Sequence, residues 1–201
     1  RPSDPATVPG RLFLTASLSG VADFLGADDT EVAPTPPRFN MAPGEQVLTC
    51  PPDRTLTQMR WGMIPVGRVN ARGRPVMETI VNARSETVFS KSAFDGVARA
   101  LVPANGWYEW TGEKRKKTAW RIARRDGRLL AFAAIFDVWN GPGGVRLPQV
   151  ALPQKAGVAK TTTNGLASDT ASSIEIWYRS GSGIGEVEMC LRSSTSEAVL
   201  V

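Results

Sequence analysis

Apolar and polar positions along the first 150 residues fall in short runs separated by Gly and Pro, and the runs are too brief for long helices. Residues 10–15, 46–49, 57–64 and 79–83 each read as a strand, the third ending at Pro65. Leu18, Val21, Ala22, Phe24 and Leu25 follow helical spacing, with Ser17 or Ser19 placed to start the helix. Residues 28–37 form an acidic, Pro-rich loop, 70–75 a basic loop, and 91–97 a short helical piece. Residues 100–103 and 106–110 flank a tight turn. Asp126-Gly127 predicts a hairpin between strands at 119–124 and 129–135. A Gly- and Pro-rich turn follows at 140–144. After Leu152 the pattern fades: 156–183 is crowded with Ser, Thr, Gly and Ala, and only 174–178 resembles a strand. The expectation is an α+β fold: a β-rich single domain of short strands, a partly open barrel-like sheet, with a few short helices. It spans 10–201, with 1–9 as a flexible, Pro-rich arm.

Composition narrows the function. The 201 residues are 42% hydrophobic and 21% charged, ordinary for a globular protein. No apolar run is long enough to span a membrane as a helix, and the N-terminus lacks the apolar stretch of a signal peptide. Cys50 and Cys190 lie far apart in no metal-like spacing, which predicts a reducing, cytoplasmic setting without a disulfide framework. There is no histidine, which excludes Ser-His-Asp and Cys-His catalysis and argues against a zinc site. The net charge is +5, and eight Lys and Arg residues fall between Lys114 and Arg128 against Glu113 and Asp126. That stretch is either a solvated hairpin face or a phosphate-binding patch.

Residues 103–110, Pro-Ala-Asn-Gly-Trp-Tyr-Glu-Trp, set one carboxylate, Glu109, among three aromatic rings just after a turn. Beside apolar surface a carboxyl group keeps its proton to higher pH and can move protons near neutrality. The alternative is an ordinary half-buried strand with its aromatics inward and Glu109 in water.

Five stretches in order carry a family resemblance: Gly10-Arg11, Arg38-Phe39-Asn40-Met41-Ala42-Pro43, Arg60-Trp61-Gly62-Met63-Ile64-Pro65, Val81-Asn82-Ala83-Arg84-Ser85-Glu86-Thr87, and 101–110 with Glu109. From residue 10 to about 150 the chain resembles the SRAP (SOS response-associated peptidase) family, proteins that process abasic sites in single-stranded DNA. The resemblance implies a monomer that needs no cofactor or metal, binds single-stranded DNA and has no membrane role. In that family an N-terminal cysteine closes a thiazolidine on the ring-opened abasic sugar, leaving a DNA–protein crosslink. By position, Asn82 orients the sugar or the nucleophile, Arg84 holds the neighbouring phosphate, and Glu109 is the acid/base. Arg11 binds phosphate, and Asn40 and Pro43 shape the pocket. Trp61, Gly62 and Met63 lie at the groove, with Trp61 stacking or wedging a base. The residues themselves leave other readings open: Asn82 closing a turn, Arg84 and Glu86 forming a surface pair, Trp61 lying in the core. Peptidase activity is implied only as self-processing.

Two departures bear on activity. The family pattern Cys-Gly-Arg reads Pro9-Gly10-Arg11 here, and eight residues precede Pro9, so the nucleophile's position holds a nitrogen inside a peptide bond. The histidine of a His-Asp-Arg-Met-like motif is expected after residue 150 and has no match in 161–178. Codons for residues 173–178, read two bases later, permit His-Arg-Asp-Met-Val, as a shifted reading frame would. A nucleotide sequence with no family-like translation in another frame would exclude that origin.

Overall fold

The structure, a computed structural model, describes residues 9–65, 72, 79–84, 87–88, 90–113, 115–154, 173–180, 183–190 and 199–200. Along the chain, β1 (Arg11–Leu14) runs into α1 (Leu18–Leu25), whose ends the sequence supplies. Ser17 Oγ accepts from the Gly20 amide at 3.1 Å, and Gly26, at φ 59°, takes the left-handed conformation that closes the last turn. Next come β2 (Arg38–Met41), β3 (Gln46–Thr49), β4 (Thr57–Trp61) and β5 (Asn82–Arg84). After a single 3-10 turn at Ser92–Phe94 follow β6 (Ala98–Ala104), β7 (Gly106–Thr111), β8 (Thr118–Arg124), β9 (Leu130–Asn140) and β10 (Arg146–Gln154). β11 (Ser173–Ser180), β12 (Gly183–Cys190) and β13 (Val199–Leu200) complete the described strands.

The strands form two sheets. The first has the order β12-β11-β8-β7-β1-β2; the second has β13-β9-β10-β4-β3, with β6 also on β9 and β5 on β10. Alternation aims one face of each sheet at the other. Leu12, Met41, Trp107 and Ile122 from the first meet Val47, Met59, Trp61, Val102, Phe132 and Val150 from the second in one buried cluster. Trp107 and Phe132 cross edge-to-face, their ring centres 5.7 Å apart. At the end of β3, Cys50 exchanges both backbone hydrogen bonds with Leu101 of β6, at 2.8 and 2.9 Å, so the second sheet curls toward itself. The α+β, β-rich expectation is the architecture found.

Two local expectations are corrected, and two strands were not foreseen. Asp126-Gly127 does turn the chain, but not into a hairpin: β8 pairs with β7 and β11, whereas β9 pairs with β6, β10 and β13. The Asp126 carboxylate is held by Arg124 at 2.5 and 2.9 Å and accepts from the Arg128 amide, so the turn is a corner between sheets. Residues 91–97 make one 3-10 turn, because only Phe94 buries itself there. The strands β2 and β10 were not legible: the Arg-Phe-Asn-Met run of β2 hides in a Pro-rich approach, and Pro148 and Pro153 mask β10.

One buried polar side chain ties β4 to β10. Gln149 is fully buried; its Oε1 accepts from the Ile64 amide at 2.8 Å, and its Nε2 donates to the Ile64 carbonyl at 3.0 Å and to Asp137 at 2.7 Å. Burial raises the Asp137 pKa, and the Gln149 hydrogen bond partly offsets this. Gln149→Leu leaves two backbone groups buried without partners and is expected to cost about 2–4 kcal/mol, measured by urea unfolding.

Candidate nucleic-acid interface

The turn before the central motif is fixed by one side chain. Asn105 Oδ1 accepts from the Thr15 and Ala16 amides at 2.7 and 3.1 Å, and the Asn105 amide donates to the Phe13 carbonyl at 2.9 Å. Gly106 follows because a Cβ there would lie 2.0 Å from the Ile122 carbonyl oxygen. These contacts seat β7 against β1 with Arg11 opposite Tyr108 and Leu12 opposite Trp107. The pairing ends at Arg11: the chain bends at Gly10, where a Cβ would lie 4.0 Å from the Trp110 ring, and Pro9 before it is buried.

Glu109 therefore lies on the core-facing side of β7, two residues beyond Trp107. Its Oε2 is buried without a hydrogen-bond partner, and its Oε1 accepts from the Trp110 amide at 3.3 Å. Burial raises its pKa; the Trp110 amide and the Lys117 charge pull it partly back. Trp107 Nε1 is also buried without a partner. A desolvated carboxyl with one free oxygen keeps its proton to higher pH than an exposed one and can exchange it with a bound group.

Asn82 sits on β5, half-buried, paired in parallel with Leu152 of β10. Partners across a strand pair share a face, so Asn82 lies on the core-facing side of the second sheet, as Glu109 does on the first. Arg84, two residues on, is exposed and makes no ion pair among the described residues. Ser85 and Glu86 lie outside the described residues, as do the basic loop at 70–75 except Arg72, the arm at 1–8 and the region of the expected histidine motif.

Trp61, Gly62 and Met63 are corrected as groove residues. Trp61 and Met63 are each 1% exposed, and Gly62 is buried at φ 124°, where a Cβ would lie 2.4 Å from Thr79 Cγ2. An indole in the core cannot stack a base. Trp61 instead donates from Nε1 to the Val81 carbonyl at 3.2 Å, and Met63 exchanges both backbone bonds with Ile80. Both brace the chain entering β5, the strand that carries Asn82.

Arg11 donates to Asn40 Oδ1 at 3.1 Å, and both lie on the solvent-facing side of the first sheet, opposite to Glu109. Pro43 is exposed in the turn that the Gly44 and Trp61 amides pin to β4, at 2.7 and 2.8 Å. The basic stretch is not uniform. Arg124's side chain is 8% exposed and locked on Asp126, while Arg115, Lys116, Lys117, Arg121 and Arg128 are exposed. Asn105 and Gln149 were missed as positioning residues. Asn105 was legible only as a turn residue; nothing in the sequence marks Gln149.

No described helix is long and apolar enough to cross a membrane, and no group of three His, Cys, Asp or Glu among the described residues could hold a metal.

Comparison with known proteins bears on the family and the fold. A family model described as SOS response associated peptidase (SRAP) matches residues 8–163. Abasic site processing protein YoqW of Bacillus subtilis (strain 168) is 33% identical over 115 residues, covering 54% of this chain and 50% of that protein. Abasic site processing protein HMCES of Gallus gallus is 31% identical over 114 residues, covering 46% of this chain and 34% of that protein. The chain thus spans about half the length of the bacterial relative. A crystal structure of a Bordetella bronchiseptica protein superposes with TM-score 0.61 at 20% identity, covering 91% of this chain and 83% of that one. A Bacteroides thetaiotaomicron protein gives 0.59 at 20% identity, covering 71% and 66%. These two likenesses bear on the fold alone.

Proposed function

We propose that this chain, which belongs to the SOS response associated peptidase (SRAP) family, recognises abasic sites in single-stranded DNA and, as written, holds them without a covalent crosslink. The carrying observation is Glu109: a half-buried carboxyl with raised pKa and one unpartnered oxygen, beside the start of β1. Relatives named for abasic site processing support the substrate class.

Three side chains divide the work. Arg84 offers a planar guanidinium fork to the phosphate beside the lesion. Asn82, half-buried, has the donor and acceptor that a sugar hydroxyl or aldehyde oxygen needs. Glu109 moves the proton that opening a sugar ring requires. In the family's route, a terminal amine condenses with the aldehyde to give an imine and water. A thiol then adds across the C=N bond, its proton ending on nitrogen. Pro9 cannot take the first step, since its nitrogen carries no hydrogen and is acylated by residue 8. Cys50 is no substitute: it is buried, and burial raises its thiol pKa.

A denaturing gel tests both parts. The chain is mixed with a single-stranded oligonucleotide carrying one abasic site, beside an intact control. Salt-sensitive binding on a native gel with no heat-stable band on the denaturing gel is the expected result. A heat-stable band would overturn the non-covalent reading, and no binding to either strand would overturn the substrate class.

A further inference from the structure

Two buried polar atoms on the core-facing side of β7 lack a partner, and they complement each other. Trp107, 6% exposed, carries an indole N–H that can only donate, and Glu109 Oε2 can only accept once the carboxyl is ionised. Two residues along a strand put both side chains on one face with their Cα atoms roughly 6–7 Å apart, within reach of an indole and a carboxylate turned toward each other. The surroundings of Trp107 offer little else. Its cross-strand partners are Leu12 and Ile122, its ring meets Phe132 edge-to-face, and no side chain in their cluster carries an oxygen. Trp120, opposite Glu109, already gives its Nε1 hydrogen to Thr111 Oγ1 at 2.7 Å, so it does not compete for the carboxyl. A buried N–H without a partner costs stability, which asks what the indole donates to.

We infer that Trp107 is a positioning residue whose indole N–H takes Glu109 Oε2 each time the carboxyl gives up its proton. The inference rests on the proposed function for where that proton goes. The carboxyl proton passes to the ring oxygen of the abasic sugar as its C–O bond opens, and the proton of the anomeric hydroxyl returns to the carboxylate as the aldehyde forms. Between the two transfers Glu109 is an anion whose Oε2 lies away from water, the state that burial penalises most. A hydrogen bond to a charged acceptor is about twice as strong as one between neutral groups, so the bond to Trp107 strengthens as the proton leaves. Oε1 accepts from the Trp110 amide at 3.3 Å, a long bond that lets the carboxyl turn toward the indole. The charged side chains around Glu109 do not do this work. Arg11 of β1 and Arg121 of β8 lie on the other face of the sheet, and Arg84 of β5 is exposed. Lys117 acts on the carboxyl from the β7–β8 connection, but it is exposed and water screens its charge.

The test is a pH titration of the full chain by NMR, without DNA, reading the indole N–H signals and the Glu109 carboxyl carbon. Trp107→Phe removes one of the six indole signals and so identifies it; Glu109→Gln identifies the carboxyl in the same way. As pH rises, the Trp107 N–H signal of the parent should move downfield with the midpoint of the Glu109 carboxyl, and in Glu109→Gln it should stay still over that range. Trp107→Phe keeps a ring against Phe132 but has no N–H, and it should raise the Glu109 midpoint by about one pH unit, about tenfold in proton affinity. A Trp107 that only packs would leave that midpoint where it is. A Trp107 signal that does not follow Glu109 overturns the inference, as does an unmoved midpoint in Trp107→Phe. If that variant does not fold, the signal is assigned through its proximity to Phe132, and the parent and Glu109→Gln decide. Binding of an abasic single strand is measured on the same samples. Coupled titration in a chain that does not bind the strand would leave the Trp107–Glu109 pair standing while the proposed function fails; binding with uncoupled titration would remove the pair alone.

Discussion

A chain cut to begin at residue 9 and carrying Pro9→Cys is expected to turn an abasic single strand into a heat-stable adduct, where the chain with Pro9 gives none. The register argues for it. Arg11 pairs with Tyr108, the residue before Glu109, and a Cβ on Gly10 would lie 4.0 Å from the Trp110 ring, which brings residue 9 close to the end of β7. Cysteine is no larger than the buried proline it replaces, and residue 9 would then carry a free amine. An α-amine of pKa about 8 is partly neutral at pH 7, and its thiol supplies the second nucleophile. The chain has no histidine to assist, and a lost general acid or base typically costs about 10²–10⁴ in rate. The adduct should therefore form slowly, and its yield after long incubation is the quantity to read. Binding without any adduct would show that residue 9 does not deliver its nitrogen to the sugar, and the assignment of Glu109 as its neighbour would fall with it. Arg84→Ala in the same background separates capture from chemistry: weaker binding with a normal yield at saturating DNA is the result expected of a phosphate-holding side chain.

What the sequence made legible was the short-range part of this site. The Asn105-Gly106 turn, the aromatic run around Glu109 and the caps of α1 are each written in adjacent residues, and each stands as expected. What it hid depends on partners far along the chain. Asp126-Gly127 carries the hairpin signal, yet whether two strands pair after a turn depends on which neighbours already hold their edges. Here β11 holds one and β6 and β10 the other. Trp61 shows the same limit for function. Its place in a basic motif suits a stacking ring as well as a core ring. Only the curl of the second sheet, which sets Val81's carbonyl 3.2 Å from its indole nitrogen, decides for the core. β10 was hidden by its own prolines. Both prolines nonetheless stand within the pairing, Pro148 opposite Val138 and Pro153 opposite Ala83, while Gln149 and Val150 between them meet Arg60 and Trp61 in parallel. The two faces of the first sheet could not have been told apart beforehand either. Arg11, Asn40 and Glu109 all belong to matched motifs, but alternation about Leu12 and Trp107 sends Glu109 inward and the other two to solvent.

Glu109→Gln should stabilise the fold near neutral pH and, in the shortened chain carrying Pro9→Cys, slow adduct formation by about 10² or more. The sign follows from burial. Desolvation raises the carboxyl's pKa above its ordinary 4.5, so the folded chain holds the proton more tightly than the unfolded chain does. The unfolded state therefore binds fewer protons as pH climbs from about 4.5 through the raised value, and stability falls across that window. Above it the loss is complete and constant. Glutamine has no charge to desolvate, keeps the shape and can still accept from the Trp110 amide, so the variant escapes this loss. Thermal unfolding should show the variant ahead of the parent near pH 8, with the gap closing near pH 4, where the parent's carboxyl is protonated in both states. The same gap at both pH values would mean that the gain comes from packing and that Glu109 is not held desolvated. Asp137, the other described carboxyl that burial raises, is present in parent and variant alike and cancels in the difference. A side chain whose neutral replacement improves the fold while slowing the adduct is retained at a cost to stability, which is the behaviour of a group kept for proton transfer rather than for structure.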